Sequence, residues 1–217
     1  MALASYIVQV QRLLHDTSGQ YWSTAELTDY INEARNRLAK DSRCLRQVIP
    51  SLISLTQGVE QYTLTTLNAA LPSTLTGYQI VDVMGVTIYW GNTRVKLGYA
   101  PFSRFDAQFR YWQTMQSRPV CYTRMGTTSV YVGPVPDQTY VSDWDVNLIP
   151  PPLTSDTTPE PILEPWVGAI KYYAAYLAKF REQAMQEADA FNKMYKAHIL
   201  METQAWSYRV IPDPYTK

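Results

Sequence analysis

The sequence predicts an α+β protein: N-terminal helices and a long C-terminal helix form a helical bundle, a β-rich section is inserted between them, and an extended arm closes the chain. Three observations carry the prediction. Apolar residues recur at helical spacing near the start, in Leu27, Ile31, Ala34 and Leu38. From Gln47 the pattern changes to β-branched and aromatic residues between turn signals. From Ala169 to Ile211 there is neither glycine nor proline. The resulting division places residues 1–46 and 160–208 in one helical domain, 47–159 in the β-rich section and 209–217 in the arm.

Leu3 to about His15 reads as a short helix with Leu3, Ile7, Val10 and Leu14 on one side, ended by Thr17-Ser18-Gly19. The next helix, Thr24 to about Asp41, has its start written in Ser23-Thr24-Ala25-Glu26. The serine hydroxyl accepts from a free backbone N–H of the first turn while Glu26 reaches back to the N-cap amide. Gln47 to Thr65 reads as a hairpin about Gln57-Gly58, and residues 66–78 as a loop or projection. Ile80 to Trp90 is apolar strand, and Gly91-Asn92 turns it into Arg94 to Leu97. A helical stretch with Phe102, Phe105, Phe109 and Trp112 follows, and Pro119 stops it. Val120 to Val132 is β again about a turn at Gly126-Thr127-Thr128, Gly133 to Asp137 is a turn, and Tyr140 to Leu148 is one more strand. The prolines from Pro150 to Pro165 make a stiff connector.

The last helix carries Trp166, Ile170, Tyr173, Leu177, Phe180 and Ala184, then Ala188, Phe191, Tyr195 and Ile199, on one stripe. Unbroken to about Ser207 it would be about 60 Å long; a bend near Arg181–Gln183 is equally allowed. Two N-terminal helices cannot cover so long a stripe. The economical cover for Trp166, Ile170, Tyr173, Leu177 and Phe180 is a neighbouring subunit, the alternative being a core helix broken in two within the monomer. The tail keeps Tyr208, Val210, Ile211 and Tyr215 around Pro212 and Pro214, a pre-stiffened segment suited to docking.

Composition narrows the function. The chain has 217 residues, 46% hydrophobic and 18% charged, enough for a real core. It has no leader pattern and no run of ~18–20 apolar residues, so no membrane partner is expected. Formal net charge is zero but unevenly placed. Residues 90–130 hold Arg94, Lys96, Arg104, Arg110, Arg118 and Arg124 against Asp106, a block of +5; residues 131–165 hold six acids and no base, a block of −6. Such blocks neutralise each other inside the monomer, or meet head to tail between copies through Arg94, Lys96, Arg110, Asp143 and Asp145.

Catalytic patterns are missing: no GxSxG, P-loop, GxGxxG or HExxH occurs. His15 and His198 each stand alone, and Cys44 and Cys121 lie far apart outside any CxxC, so no metal or cofactor is expected. Asp143 and Asp145 share one strand face, the spacing of a cation site, though a solvated acidic edge is the simpler reading. The isolated basic residues and nil charge argue against sequence-specific nucleic-acid binding. Seventeen tyrosines and six tryptophans point to interfaces or, alternatively, to a carbohydrate or cell-surface-binding face made of the β-section tyrosines. A hydrolase using Asp143 and Asp145 is the enzymatic alternative.

The run Tyr21-Trp22-Ser23-Thr24-Ala25-Glu26-Leu27-Thr28-Asp29-Tyr30-Ile31-Asn32-Glu33-Ala34-Arg35 resembles the opening of the head-to-tail adaptor proteins of tailed bacteriophages. Gly58 to Leu64, Pro119 to Tyr122 with Tyr131 to Asp137, and the Pro165-Trp166 entry into an Ala/Tyr-rich helix are similar to that family in order and spacing. The resemblance covers most of the chain. It implies a virion protein that forms a dodecameric ring under the portal protein, extends the DNA channel and seats the tail or nozzle protein, while double-stranded DNA passes without sequence specificity. On that footing Tyr208, Arg209, Val210, Ile211, Pro212 and Tyr215 dock on the portal, and residues 66–78 and 134–145 face the tail.

Overall fold

The computed structural model describes residues 2–108, 115–126 and 128–207. Its described part is α+β, with helices at both ends and strands between, including the C-terminal helical region. The chain forms two compact units, one built from residues 1–44 and the chain from Pro152 on, the other from Leu45–Pro151.

In the helical unit, α1 (Leu3–Leu13) buries Leu3, Tyr6 and Val10. The link to the next helix is organised by Asp16, whose carboxylate accepts from the backbone N–H groups of Gln20, Tyr21 and Trp22 at 2.9, 3.0 and 3.0 Å. Helix α2 (Thr24–Ser42) starts at the capping box expected of Ser23 and Glu26: Glu26 N–H donates to Ser23 Oγ at 3.2 Å, and Ser23 N–H to the Glu26 carboxylate at 3.3 Å. Its inner face buries Leu27, Ile31, Ala34 and Leu38, the predicted stripe, together with Arg35.

The proline-rich segment is tied down by polar contacts. Asn32 is a two-sided clamp, donating to the Leu153 carbonyl and accepting from the Leu153 N–H at 2.8 Å. Glu160 accepts from Arg35 Nε at 3.0 Å and from the Tyr6 hydroxyl at 3.0 Å. Fully buried ions persist only when paired and hydrogen-bonded, and this one is both.

The bend, one of the two forms allowed for the last helix, is the one present. In the helical unit the chain runs helically from Glu164 to Arg181 and again from Met185 to Ser207, with Gln183 between them at φ 62°. The second segment folds back along the first, bringing Tyr195 beside Tyr173 and His198 beside Tyr172.

In the β unit one antiparallel sheet has the order β1 (Arg46–Leu55), β10 (Tyr140–Ile149), β3 (Gln79–Trp90) and β4 (Thr93–Lys96). A second sheet has the order β2 (Gln61–Thr63), β8 (Ser129–Gly133), β7 (Cys121–Met125) and β5 (Gly98–Tyr99), the last parallel to β7. Strands β6 (Gln116–Ser117) and β9 (Val135–Pro136) form a small parallel pair. Trp144 and Leu148 of β10, Val86 and Ile88 of β3 and Tyr62, Val130 and Val132 of the second sheet share one core. Tyr62 stands edge-on to Trp144 at 6.1 Å between ring centres.

Two expectations are corrected here. The strands of residues 47–64 are present but do not pair as a hairpin: β1 takes β10 as its neighbour and β2 takes β8. Alternation identifies a strand, whereas its partner is set by which apolar faces the whole unit can bury. Residues 66–78 are not a bare loop either. They lie in helix α3 (Leu64–Ala69) and a 3₁₀ turn at Ser73–Leu75, because Thr63 Oγ1 caps the Thr66 N–H at 3.1 Å and Leu67 is fully buried in the core. Helix α4 (Phe102–Gln108) confirms the start of the helix expected after Pro101, and the Gly91-Asn92 hairpin is formed. Phe109 and Trp112 lie outside the described residues. The helical segments Glu164–Arg181 and Met185–Ser207 are α5 and α6 below.

Candidate functional site

The charged residues expected to join copies are largely engaged within the β unit. Asp143, nearly buried, accepts from Arg94 Nη2 at 2.7 Å, the Tyr89 hydroxyl at 2.8 Å and the Ser51 N–H at 3.1 Å. The hydrogen bond to Asp143, ahead of burial, pushes the Tyr89 hydroxyl pKa upward. Asp145 accepts a fork from Arg46, Nε to Oδ1 at 2.8 Å, and that hydrogen bond raises the Arg46 pKa. Arg94, Asp143 and Asp145 thus each have a charged partner within their own chain, while the Arg94 side chain stays 57% exposed. In the order β1-β10-β3-β4, Asp145 of β10 meets Arg46 of the adjacent β1, and Asp143 reaches across β3 to Arg94 of β4. Asp143 and Asp145 do share a strand face, with separate partners, and no group of three or more metal-ligating side chains occurs among the described residues. Lys96 makes no ion pair with a described residue, and Arg110 lies outside them.

The packing stripe on the last helix divides in two. Trp166 and Ile170 are buried in their own helical unit, where α5 packs against α1, α2 and α6, so they are not free to meet a neighbour. This corrects their assignment, and the reason is the bend: α6 supplies the cover that two N-terminal helices lack. Tyr173 and Leu177 are half-buried, the former with its ring centre 4.9 Å from that of Tyr195, while Phe180 stays 51% exposed.

The surplus apolar surface has moved to α6. Its inner face buries Ala188 and Tyr195, whose hydroxyl donates to Asp41 at 3.1 Å. Its outer face exposes Ala190, Met194, Ala197 and Met201 at spacings of four, three and four, with Leu200 beside them and Met201 68% exposed. That is the repeat of a helical seam. Alanine and methionine hid it from sequence reading, because the stronger stripe of Phe191, Tyr195 and Ile199 dominates the same helix; a search for every three-four repeat, rather than the most hydrophobic one, finds it.

The described tyrosines of the β unit divide between core and surface: Tyr78, Tyr89 and Tyr131 are half-buried and Tyr99 is 59% exposed. Tyr62, Tyr122 and Tyr140 are buried, with hydroxyls donating to the Val59 carbonyl, the Met84 carbonyl and Asp137. Burial pushes the Tyr122 pKa up to about 12. No tyrosine platform is built from these three. A groove of about 440 Å³ is lined by Trp90, Ser117, Arg118, Val120, Asp137, Gln138 and Tyr140, with the Arg118 guanidinium 4.3 Å above the Trp90 ring. Of the segment 134–145 expected to face the tail, residues 140–145 belong to β10, one of the two inner strands of its sheet. The arm residues Tyr208, Arg209, Val210, Ile211, Pro212 and Tyr215 lie outside the described residues.

An exposed helical seam, apolar side chains left open at the helix bend and charges settled within the sheets define a protein that works through its surfaces. The chain belongs to the SU10 adaptor protein family, whose family model matches residues 1–213. It is a structural adaptor of the bacteriophage particle and interacts with other head and tail proteins, in agreement with the resemblance drawn from Tyr21 to Arg35 and the later segments. No curated protein matches it. No described helix is long and apolar enough to cross a membrane.

Proposed function

We propose that copies of this chain form a dodecameric ring beneath the portal, which lengthens the DNA channel and connects the head to the tail or nozzle. The observation that supports self-assembly most directly is the α6 seam of Ala190, Met194, Ala197 and Met201, an apolar helical face turned to solvent. Exposed apolar faces of this kind mark protein contacts. Phe180, 51% exposed, and the half-buried Tyr173 and Leu177 leave further apolar surface open on α5. The domain division follows from this reading: residues 1–46 with 160–208 build the ring body, 47–159 the β-rich section, and 209–217 the arm.

In the proposal the arm, through Tyr208, Arg209, Val210, Ile211, Pro212 and Tyr215, docks on the portal, while residues 66–78 and the turn before β10 face the tail. Lys96 and Arg110 remain the candidates for charge contacts between copies. A net charge of zero suits a channel through which DNA must slide, since tight phosphate binding scales with the number of cations offered. The test is electron microscopy of the protein alone and mixed with portal rings. Full-length protein should decorate portal rings with a second ring. Removal of residues 209–217 should leave a folded protein that no longer attaches, and retained attachment would remove the docking role of the arm.

A further inference from the structure

The bend between α5 and α6 is closed by a left-handed cap at Gln183, where Ala184 N–H donates to the Lys179 carbonyl at 3.1 Å, but no residue type in the segment requires it. Residues 180–187, Phe-Arg-Glu-Gln-Ala-Met-Gln-Glu, are mostly good helix formers with neither glycine nor proline. Gln183 nevertheless takes a left-handed conformation, φ 62°, that side-chain-bearing residues rarely adopt. The apolar stripe also reads straight through the break. Leu177, Phe180, Ala184, Ala188, Phe191, Tyr195 and Ile199 keep steps of three and four with no change of phase. A segment shaped only for a turn has no need of that continuity, whereas one uninterrupted helix requires it.

The bend is held by tertiary contacts of α6 together with ion pairs local to the turn. Tyr195 bonds Asp41 and packs on Tyr173, and Ala188 is buried. His198 sits so close to Gly168 that a Cβ there would lie 2.7 Å from its Nε2. Lys179 bridges Glu182 and Glu187 across the turn at 2.9 and 3.1 Å. The contacts of Tyr195 with Asp41 and Tyr173 and of His198 with Gly168 and Tyr172 lie between α6 and its docking face on α2 and α5. A second copy's α6 can make each of them identically, with no new chemistry. A short strained hinge and a self-complementary docking face are the conditions for exchange of an element between copies.

We propose that α5 and α6 also exist as one continuous helix over residues 164–207, with α6 seated on α2 and α5 of a second copy of this chain. The left-handed hinge is relaxed in that form, and Phe180 and Met185, both 51% exposed at the bend, enter the helical stripe and its immediate flank. The exchange rests on the self-assembly proposed above and adds the means by which one copy grips the next.

Intramolecular distance separates the two forms. In the bent form the ring centres of Tyr172 and His198 are 6.4 Å apart, whereas 25 residues of straight helix, from 171 to 196, span about 37 Å. Nitroxides are placed at Lys171→Cys and Lys196→Cys in a full-length Cys44→Ser, Cys121→Ser chain, diluted with unlabelled chain so that pairs within one molecule dominate. Monomer and assembled fractions are separated by size. The monomer should show only a short separation, and the assembled fraction a population near ~37 Å. Gln183→Gly, which removes the strain of the bend, should lower the assembled, long-distance fraction about fivefold, and Gln183→Ala should raise it. Assembled protein with only the short distance overturns the exchange and leaves the ring standing. Absence of any assembled species up to millimolar concentration overturns both.

Discussion

Glu160 sits in a proline-rich connector where an acid reads as solvated, yet its carboxylate and the Arg35 guanidinium are each about 1% exposed. The pair joins α2 to the connector, with Tyr6 of α1 as third partner, whose hydroxyl pKa is raised by burial and then by the Glu160 charge. Arg35→Ala leaves that carboxylate buried with only the neutral donors Tyr6 and Ile162, and should cost about 3–5 kcal/mol in urea denaturation. The double variant Arg35→Met, Glu160→Met should lose less than Arg35→Ala alone, because no unpaired ion remains. Asp16 offers a pH-dependent counterpart. Burial works against its charge, but the N–H groups of Trp22, Tyr21 and Gln20 outweigh it and hold the carboxyl below the ordinary range. A depressed folded-state pKa contributes stability that is complete above the unfolded value of about 3.9 and is lost as pH falls through the folded value. Asp16→Asn should therefore lower the melting temperature at pH 7 and flatten its fall below about pH 4, relative to the unaltered chain. Neither role was legible in the sequence, since both depend on groups brought together by folding.

At the scale of elements, the α2 capping box was readable from four consecutive residues because all its partners are local. The bend after Arg181 was readable only as one of two possibilities, and α6 settles it by burying Ala188 and Tyr195. Gly168 records how closely the two helices approach. Alanine there gains up to about 1 kcal/mol of helix propensity but meets the half-buried His198 ring, a clash costing about 1–3 kcal/mol. Gly168→Ala should thus destabilise the chain by about 1–2 kcal/mol in calorimetry or urea titration. In a His198→Ala background the same substitution should turn neutral or stabilising. Strand positions in the β unit were likewise legible from alternation and turns, whereas the pairing of β1 with β10 and of β2 with β8 was not.

For the whole molecule, the test of surface function is whether assembly can be separated from folding. Met194→Glu with Met201→Glu places two charges on the outer face of α6, where side chains are half or more exposed. Monomer stability should change by no more than about 0.5 kcal/mol per site, as for other surface substitutions. Sedimentation should show self-association weakened, because a buried unpaired carboxylate at a contact is costly. Unchanged association would move the contact to another face. The charge blocks give the contrary lesson. Their opposition is plain in the sequence, but linear order cannot tell a neighbouring strand from a neighbouring molecule, and Asp143 and Asp145 find their bases one or two strands away.

By itself the sequence determined the α+β class, the start of α2, most strand positions, the helical nature of the C-terminal region and the adaptor family. Each of these is expressed over short spans, through local hydrogen bonds, periodicity and ordered motifs. Only the tertiary structure decided that Trp166 and Ile170 face inward while Met194 and Met201 face solvent, that β1 and β2 part to different sheets, and that Arg35 meets Glu160. These outcomes depend on which surfaces, far apart along the chain, shield each other from water, and burial is settled by the fold as a whole.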